Sequence, residues 1–109
     1  MSHQVFGSFD QVPEKEIAPG FLSKLIHTDA NTINFITVKA GSTIPLHRHI
    51  HQQCSFVLEG AFEMTVEGET QVLTPGLFCL IPSNAEHGGR AVTDCRLVDI
   101  FSPVREDYK

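Results

Sequence analysis

The stretch "PLHRHIHQQC", residues 45–54, sets three histidines on alternate positions and follows them with two glutamines. Neutral imidazole is a common ligand for divalent transition metals. In an extended chain His47 and His49 point to one side with their Cα atoms roughly 7 Å apart, so both rings can converge on one ion. His51 and Gln53 share that parity, yet an unbroken strand would carry Gln53 about 20 Å past His47, outside a coordination shell. A turn within residues 50–52 is therefore required if Gln53 is to rejoin the pair. The competing reading is a polar surface turn in which His47, Arg48, His49 and His51 bind nothing. His87, in "IPSNAEHGG", weighs against it. This Pro- and Gly-bounded loop follows an apolar strand and is placed to cross a barrel mouth. His3 and His27 lack such context and read as surface residues.

A second group lies near the C-terminal end. In "CRLVDIF", 95–101, strand parity puts Asp99 on the same face as Cys95, Leu97 and Phe101, with Arg96 opposite. An inward carboxylate is costly unless paired, hydrogen-bonded or placed in a functional pocket. The choice is between a satisfied structural carboxylate and a general acid or base sharing the interior with a metal. Arg105 follows beyond "SPV". By spacing alone it reads as a surface arginine, although a guanidinium can also grip a carboxylate with two parallel hydrogen bonds.

Strands must position these groups. Apolar and polar residues alternate over 21–28, 32–39, 55–60, 61–68, 71–74, 77–82 and 95–101, and turn residues separate the runs. No window shows a sustained 3.6-residue apolar period, so helix is minor at most and the expected class is all-β, a sandwich or barrel. With 109 residues the chain has room for one core, and residues 1–109 are read as a single domain. The first twenty and last six residues are the least patterned, and read as arms over a neighbouring subunit or frayed ends.

A net charge of -5 with eight scattered basic residues gives no footprint for nucleic acid. No apolar run reaches membrane-spanning length and the N-terminus lacks secretory-signal features, so the expectation is a cytoplasmic protein with no membrane partner. Cys54, Cys79 and Cys95 are odd in number and isolated, which fits reduced thiols.

"GSTIPLHRHIHQQCSFVLEG" resembles the first motif of the cupin superfamily through Gly41, His47, His49, Gln53 and Gly60. "GLFCLIPSNAEH" resembles the second through Gly76, Pro82 and His87. Gln53 stands where cupins usually carry Glu, Asn84 replaces a Gly, and Ala91 replaces an Asn. The resemblance implies a double-stranded β-helix, or jelly-roll barrel. It also implies one divalent transition metal per chain, held by His47, His49, Gln53 and His87, with His51 as the rival to Gln53 and otherwise lining the substrate pocket. Three neutral imidazoles and a neutral amide leave the ion its full charge, suited to an anionic oxygen ligand. Nickel, zinc, iron, manganese and cobalt all accept such a set.

The ending "DIFSPVREDY", together with "HRHIHQQCSFVLEG", resembles the KdgF group of small cupins, pectin degradation proteins that linearise unsaturated monouronates. That resemblance implies catalytic roles for Asp99 and Arg105 and a substrate-binding role for Phe101, Arg105 and His51. The implied reaction opens a 4,5-unsaturated uronate from pectin or alginate to a 5-keto-4-deoxyuronate, an isomerisation. The alternatives are a cupin dioxygenase and a non-catalytic sugar-binding cupin. A homodimer is the expected assembly.

Overall fold

The computed structural model of the chain describes residues 5–109, so His3 lies outside the described residues. Ten strands run through them in the order β1 (Glu14–Ala18), β2 (Phe21–His27), β3 (Thr32–Val38), β4 (Thr43–His47), β5 (Gln52–Glu59), β6 (Phe62–Val66), β7 (Glu69–Leu73), β8 (Phe78–Ile81), β9 (His87–Ala91) and β10 (Cys95–Ser102). The only helical turns among them are 3-10 turns at Phe9–Gln11 and Glu106–Tyr108. The strands form two antiparallel sheets, ordered β1-β2-β3-β10-β5-β8 and β4-β9-β6-β7. The class is all-β, as the alternation predicts. No helix of the described residues is long and apolar enough to cross a membrane.

Cross-strand register divides the interior into layers. Ile36, Leu97 and Val57 stand abreast on β3, β10 and β5. They join Phe21, Val38, Phe62, Met64, Leu73 and Ile81 in the apolar core. Each such side chain, fully buried, stabilises the fold by about 1.5–3 kcal/mol. Two residues further along β10 the inward row becomes Asn34, Asp99 and Ser55, and the next is Thr32, Phe101 and Gln53. All but Phe101 in these two rows are polar and all are buried. One end of the barrel interior is thus apolar and the other is lined mainly by buried polar side chains.

Three strands lie outside the alternating runs. β1 pairs with β2 along the sheet edge, so residues 14–18 belong to the barrel instead of forming a loose arm. β4 and β9 pair through Thr43↔Arg90, Ile44↔Gly89 and His47↔His87. His87 is therefore the first residue of a central strand and not part of a loop crossing the mouth. The two glycines after it suit close packing. A Cβ at Gly88 would lie 2.7 Å from the Ile44 carbonyl oxygen, and one at Gly89 2.7 Å from that of Glu63.

The chain ends also differ from the expected arms. Arg105 folds back onto its own barrel, its backbone N–H donating to Thr32 Oγ1 at 2.8 Å. His27 is half-buried with Nδ1 2.8 Å from the same hydroxyl, and is not a simple surface residue. Arg96 faces outward as parity requires, 3.6 Å from Glu59. The three cysteines are free, and burial raises the pKa of each thiol. On the outer face of the six-stranded sheet, Phe56, Leu58, Phe78 and Leu80 remain exposed, with the two phenyl centroids 5.7 Å apart.

Candidate metal centre and cavity

His47 ends β4, His49 follows it in the connection and His87 opens β9. Their ligand nitrogens all lie within 4.8 Å of one another. The His87 ring centroid is 4.3 Å from that of His47 and 4.7 Å from that of His49. Each ring is tethered the same way. Nδ1 of His47, His49 and His87 lies 2.9 Å from the carbonyl oxygens of Pro45, His51 and Ala85 respectively. A carbonyl only accepts, so each Nδ1 carries the hydrogen and each Nε2 presents a lone pair. Burial lowers the pKa of His49 and of His87, which favours the neutral ligand form. His87 Nε2 is buried without a hydrogen-bond partner.

The bend required for Gln53 is present at Ile50 and His51. It does not return the chain alongside β4 but carries it into the other sheet, because β4 and β5 lie in different sheets. Asn84, at φ +64°, donates its backbone N–H to the His49 carbonyl at 2.8 Å and ties the opposite loop to this bend. Asparagine tolerates that left-handed backbone, which accounts for its standing where the cupin motif has glycine.

Gln53 Oε1 lies 3.2 Å from His49 Nε2, while its amide nitrogen donates to Ser55 Oγ at 3.0 Å and to Asp99 Oδ2 at 3.3 Å. The amide orientation follows from the carboxylate, which accepts. Two lone-pair atoms, Gln53 Oε1 and His49 Nε2, are thereby brought face to face. A cation at about 2.1 Å from each nitrogen would relieve that opposition and give the orphaned His87 Nε2 its partner. The His47, His49 and His87 group fits a metal ion. His51 lies outside this trio, its ring 5.6 Å from His49 and 6.5 Å from Phe101.

Asp99 sits one row deeper than Gln53. Burial pushes its carboxyl up to about 6, against the opposing pull of a Ser55 hydrogen bond and the Arg105 charge. Oδ1 is buried without a partner. Such a carboxyl is poised to give or take a proton near neutral pH.

Arg105 is buried at 8% exposure, its guanidinium carbon 4.7 Å from the Phe101 ring centre and 4.0 Å from that of Tyr108. The cavity lining brings together His47, His49, Gln53, His87, Asp99, Phe101 and Arg105, whereas His51 does not border it. Two further lining residues, Asn34 and Tyr108, escape sequence reasoning. Asn34 carries a buried side-chain oxygen without a partner, and its inward parity in "TINFITV" was the available signal. Tyr108 lies in the unpatterned tail, where no periodicity marks it.

Two antiparallel sheets around a trio of inward imidazoles are the frame of a cupin, and the cupin domain family matches residues 16–101. The chain belongs to the cupin family. It is 32% identical over 103 residues to the pectin degradation protein KdgF of Dickeya dadantii (strain 3937), covering 91% of this chain and 93% of that one. Among solved structures it resembles KdgF from Halomonas sp., with a TM-score of 0.87, 32% identity and coverage of 95% and 100%. It also resembles an RmlC-like cupin from Shewanella frigidimarina NCIMB 400, with a TM-score of 0.91, 30% identity and coverage of 98% and 97%.

Proposed function

We propose that this chain, as a single cupin domain over residues 1–109, linearises 4,5-unsaturated monouronates from pectin or alginate to 5-keto-4-deoxyuronates. The observation that carries the reading is Gln53, which turns its amide oxygen toward His49 and donates its amide N–H to the buried Asp99, a carboxyl whose pKa burial raises to about 6. Similarity to a protein named for pectin degradation supports the substrate class.

His47, His49, His87 and Gln53 would hold one divalent transition metal, which would supply positive charge to the substrate's carboxylate and a neighbouring oxygen. Asp99 removes the proton of the anomeric hydroxyl. The C1 to ring-oxygen bond breaks, leaving an aldehyde at C1 and an enolate across C4 and C5. Asp99 returns the proton to C4, and the C5 oxygen becomes a ketone. One proton moves from oxygen to carbon and no electron is gained or lost. Arg105 grips the carboxylate and Phe101 walls the sugar face.

The test is incubation of the metal-loaded protein with freshly lyase-generated unsaturated uronate, following the ultraviolet absorbance of its double bond. Decay well above the spontaneous rate, without oxygen consumption, is expected. Oxygen uptake would favour a dioxygenase, and tight binding with no conversion would favour a sugar-binding cupin; either rejects the proposal. The same reading places the chain in the cytoplasm as a homodimer. The exposed Phe56, Leu58, Phe78 and Leu80 face offers a second copy apolar surface, and light scattering should give a two-chain mass.

A further inference from the structure

Arg105 is held from three directions. Asp107 takes its Nε–H through Oδ1 at 3.0 Å and an Nη2–H through Oδ2 at 2.8 Å. Tyr108 and Phe101 place their rings by the guanidinium carbon at 4.0 and 4.7 Å, with the two rings close to perpendicular at 88°. Burial opposes the charge, yet Asp107 and Tyr108 raise the Arg105 pKa above its ordinary value. A guanidinium has five N–H groups. Asp107 engages one edge of the fork, so N–H groups of the guanidinium remain for a ligand in the cavity that Arg105 lines.

Asp107 itself is largely exposed, with its side chain at 57%, while Arg105 is at 9%. The pair therefore does more than decorate a surface. It fixes a buried, otherwise flexible cation before any ligand arrives, so binding loses less side-chain freedom. Both partners come from the turn Glu106–Tyr108, which directly follows Arg105.

We propose that Asp107 and Tyr108 are positioning residues that preset Arg105 for a sugar carboxylate, making the C-terminal turn a determinant of selectivity for uronates over neutral sugars. This rests on the reading of the cavity as a uronate site. Neither residue need touch the sugar. Asp107 acts through the guanidinium edge and Tyr108 through its ring face.

The experiment uses the metal-loaded full chain with two unreactive probes, D-galacturonate and D-galactose, whose affinities are compared by calorimetry. The wild type should prefer galacturonate at least about tenfold, consistent with a charge-assisted fork. Asp107→Ala and Tyr108→Leu should lower the ratio at least about threefold with metal content unchanged, whereas Tyr108→Phe keeps the ring and the ratio. Asp107→Asn, which retains the side-chain shape but not the anionic fork, should lower the ratio likewise and serves if the alanine variant does not fold. With unsaturated uronate, Asp107→Asn should raise KM about tenfold and leave kcat within about twofold. Unchanged selectivity and KM in Asp107→Asn and Tyr108→Leu, or no galacturonate preference in the wild type, overturns the clamp. A clamp-dependent preference without turnover of unsaturated uronate supports the clamp and rejects the proposed reaction, so the two fail separately.

Discussion

Gln53 Oε1 and His49 Nε2 face each other at 3.2 Å with no hydrogen between them, because the His51 carbonyl and Asp99 fix where the hydrogens of both side chains lie. Such an opposition is tolerable where a cation belongs. A glutamate in this place would weaken the cation's effective charge and put a second carboxylate beside Asp99. Gln53→Glu should therefore bind metal more tightly, seen by competition with a chelator, and turn over unsaturated uronate at least about tenfold more slowly.

His87 contributes the most buried of the three lone pairs. Its replacement in His87→Ala should lower metal content from about one ion per chain to about a tenth or less, read by elemental analysis, as expected when a three-imidazole set loses a ligand. The variant should also lose the rise in melting temperature that added metal gives the wild type.

Asp99→Asn removes the proton carrier while keeping the side-chain shape. Turnover should fall by about 10²–10⁴-fold with metal content intact. Normal activity in this variant would remove Asp99 from the reaction.

The raised Asp99 pKa also makes a stability prediction for the metal-free protein. Between the ordinary value of 3.8 and about 6 the folded chain keeps a proton that the unfolded chain has released. Stability contributed by this group is therefore greatest at low pH and declines as pH rises through that window. Asp99→Asn should melt higher than wild type at about pH 7.5, by up to about 3 kcal/mol of unfolding free energy for a shift of about two units, and match it near pH 4. Thermal unfolding of chelator-treated samples measures the difference.

Strand alternation made the six-stranded sheet largely readable, because β2, β3 and β10 each bury one face against the core and expose or half-expose the other. The inward position of Asp99 followed directly. β4 and β9 were harder. "TIPLH" contains a proline and little buried surface, and "HGGRA" has no alternating hydrocarbon. Their extended form comes from pairing with each other and, for β9, with β6, which no local pattern records. Tyr108 was hidden for a related reason. Its place by Arg105 depends on the tail returning to Thr32, a contact 73 positions away in the chain.

The backbone tethers on the three imidazoles dictate how the site meets acid. Since Nδ1 is already occupied in every ring, an incoming proton can only land on the atom that would otherwise bind the ion. Acidification and metal loading thus compete for the same seats, and a milieu that turns sour would empty the cup.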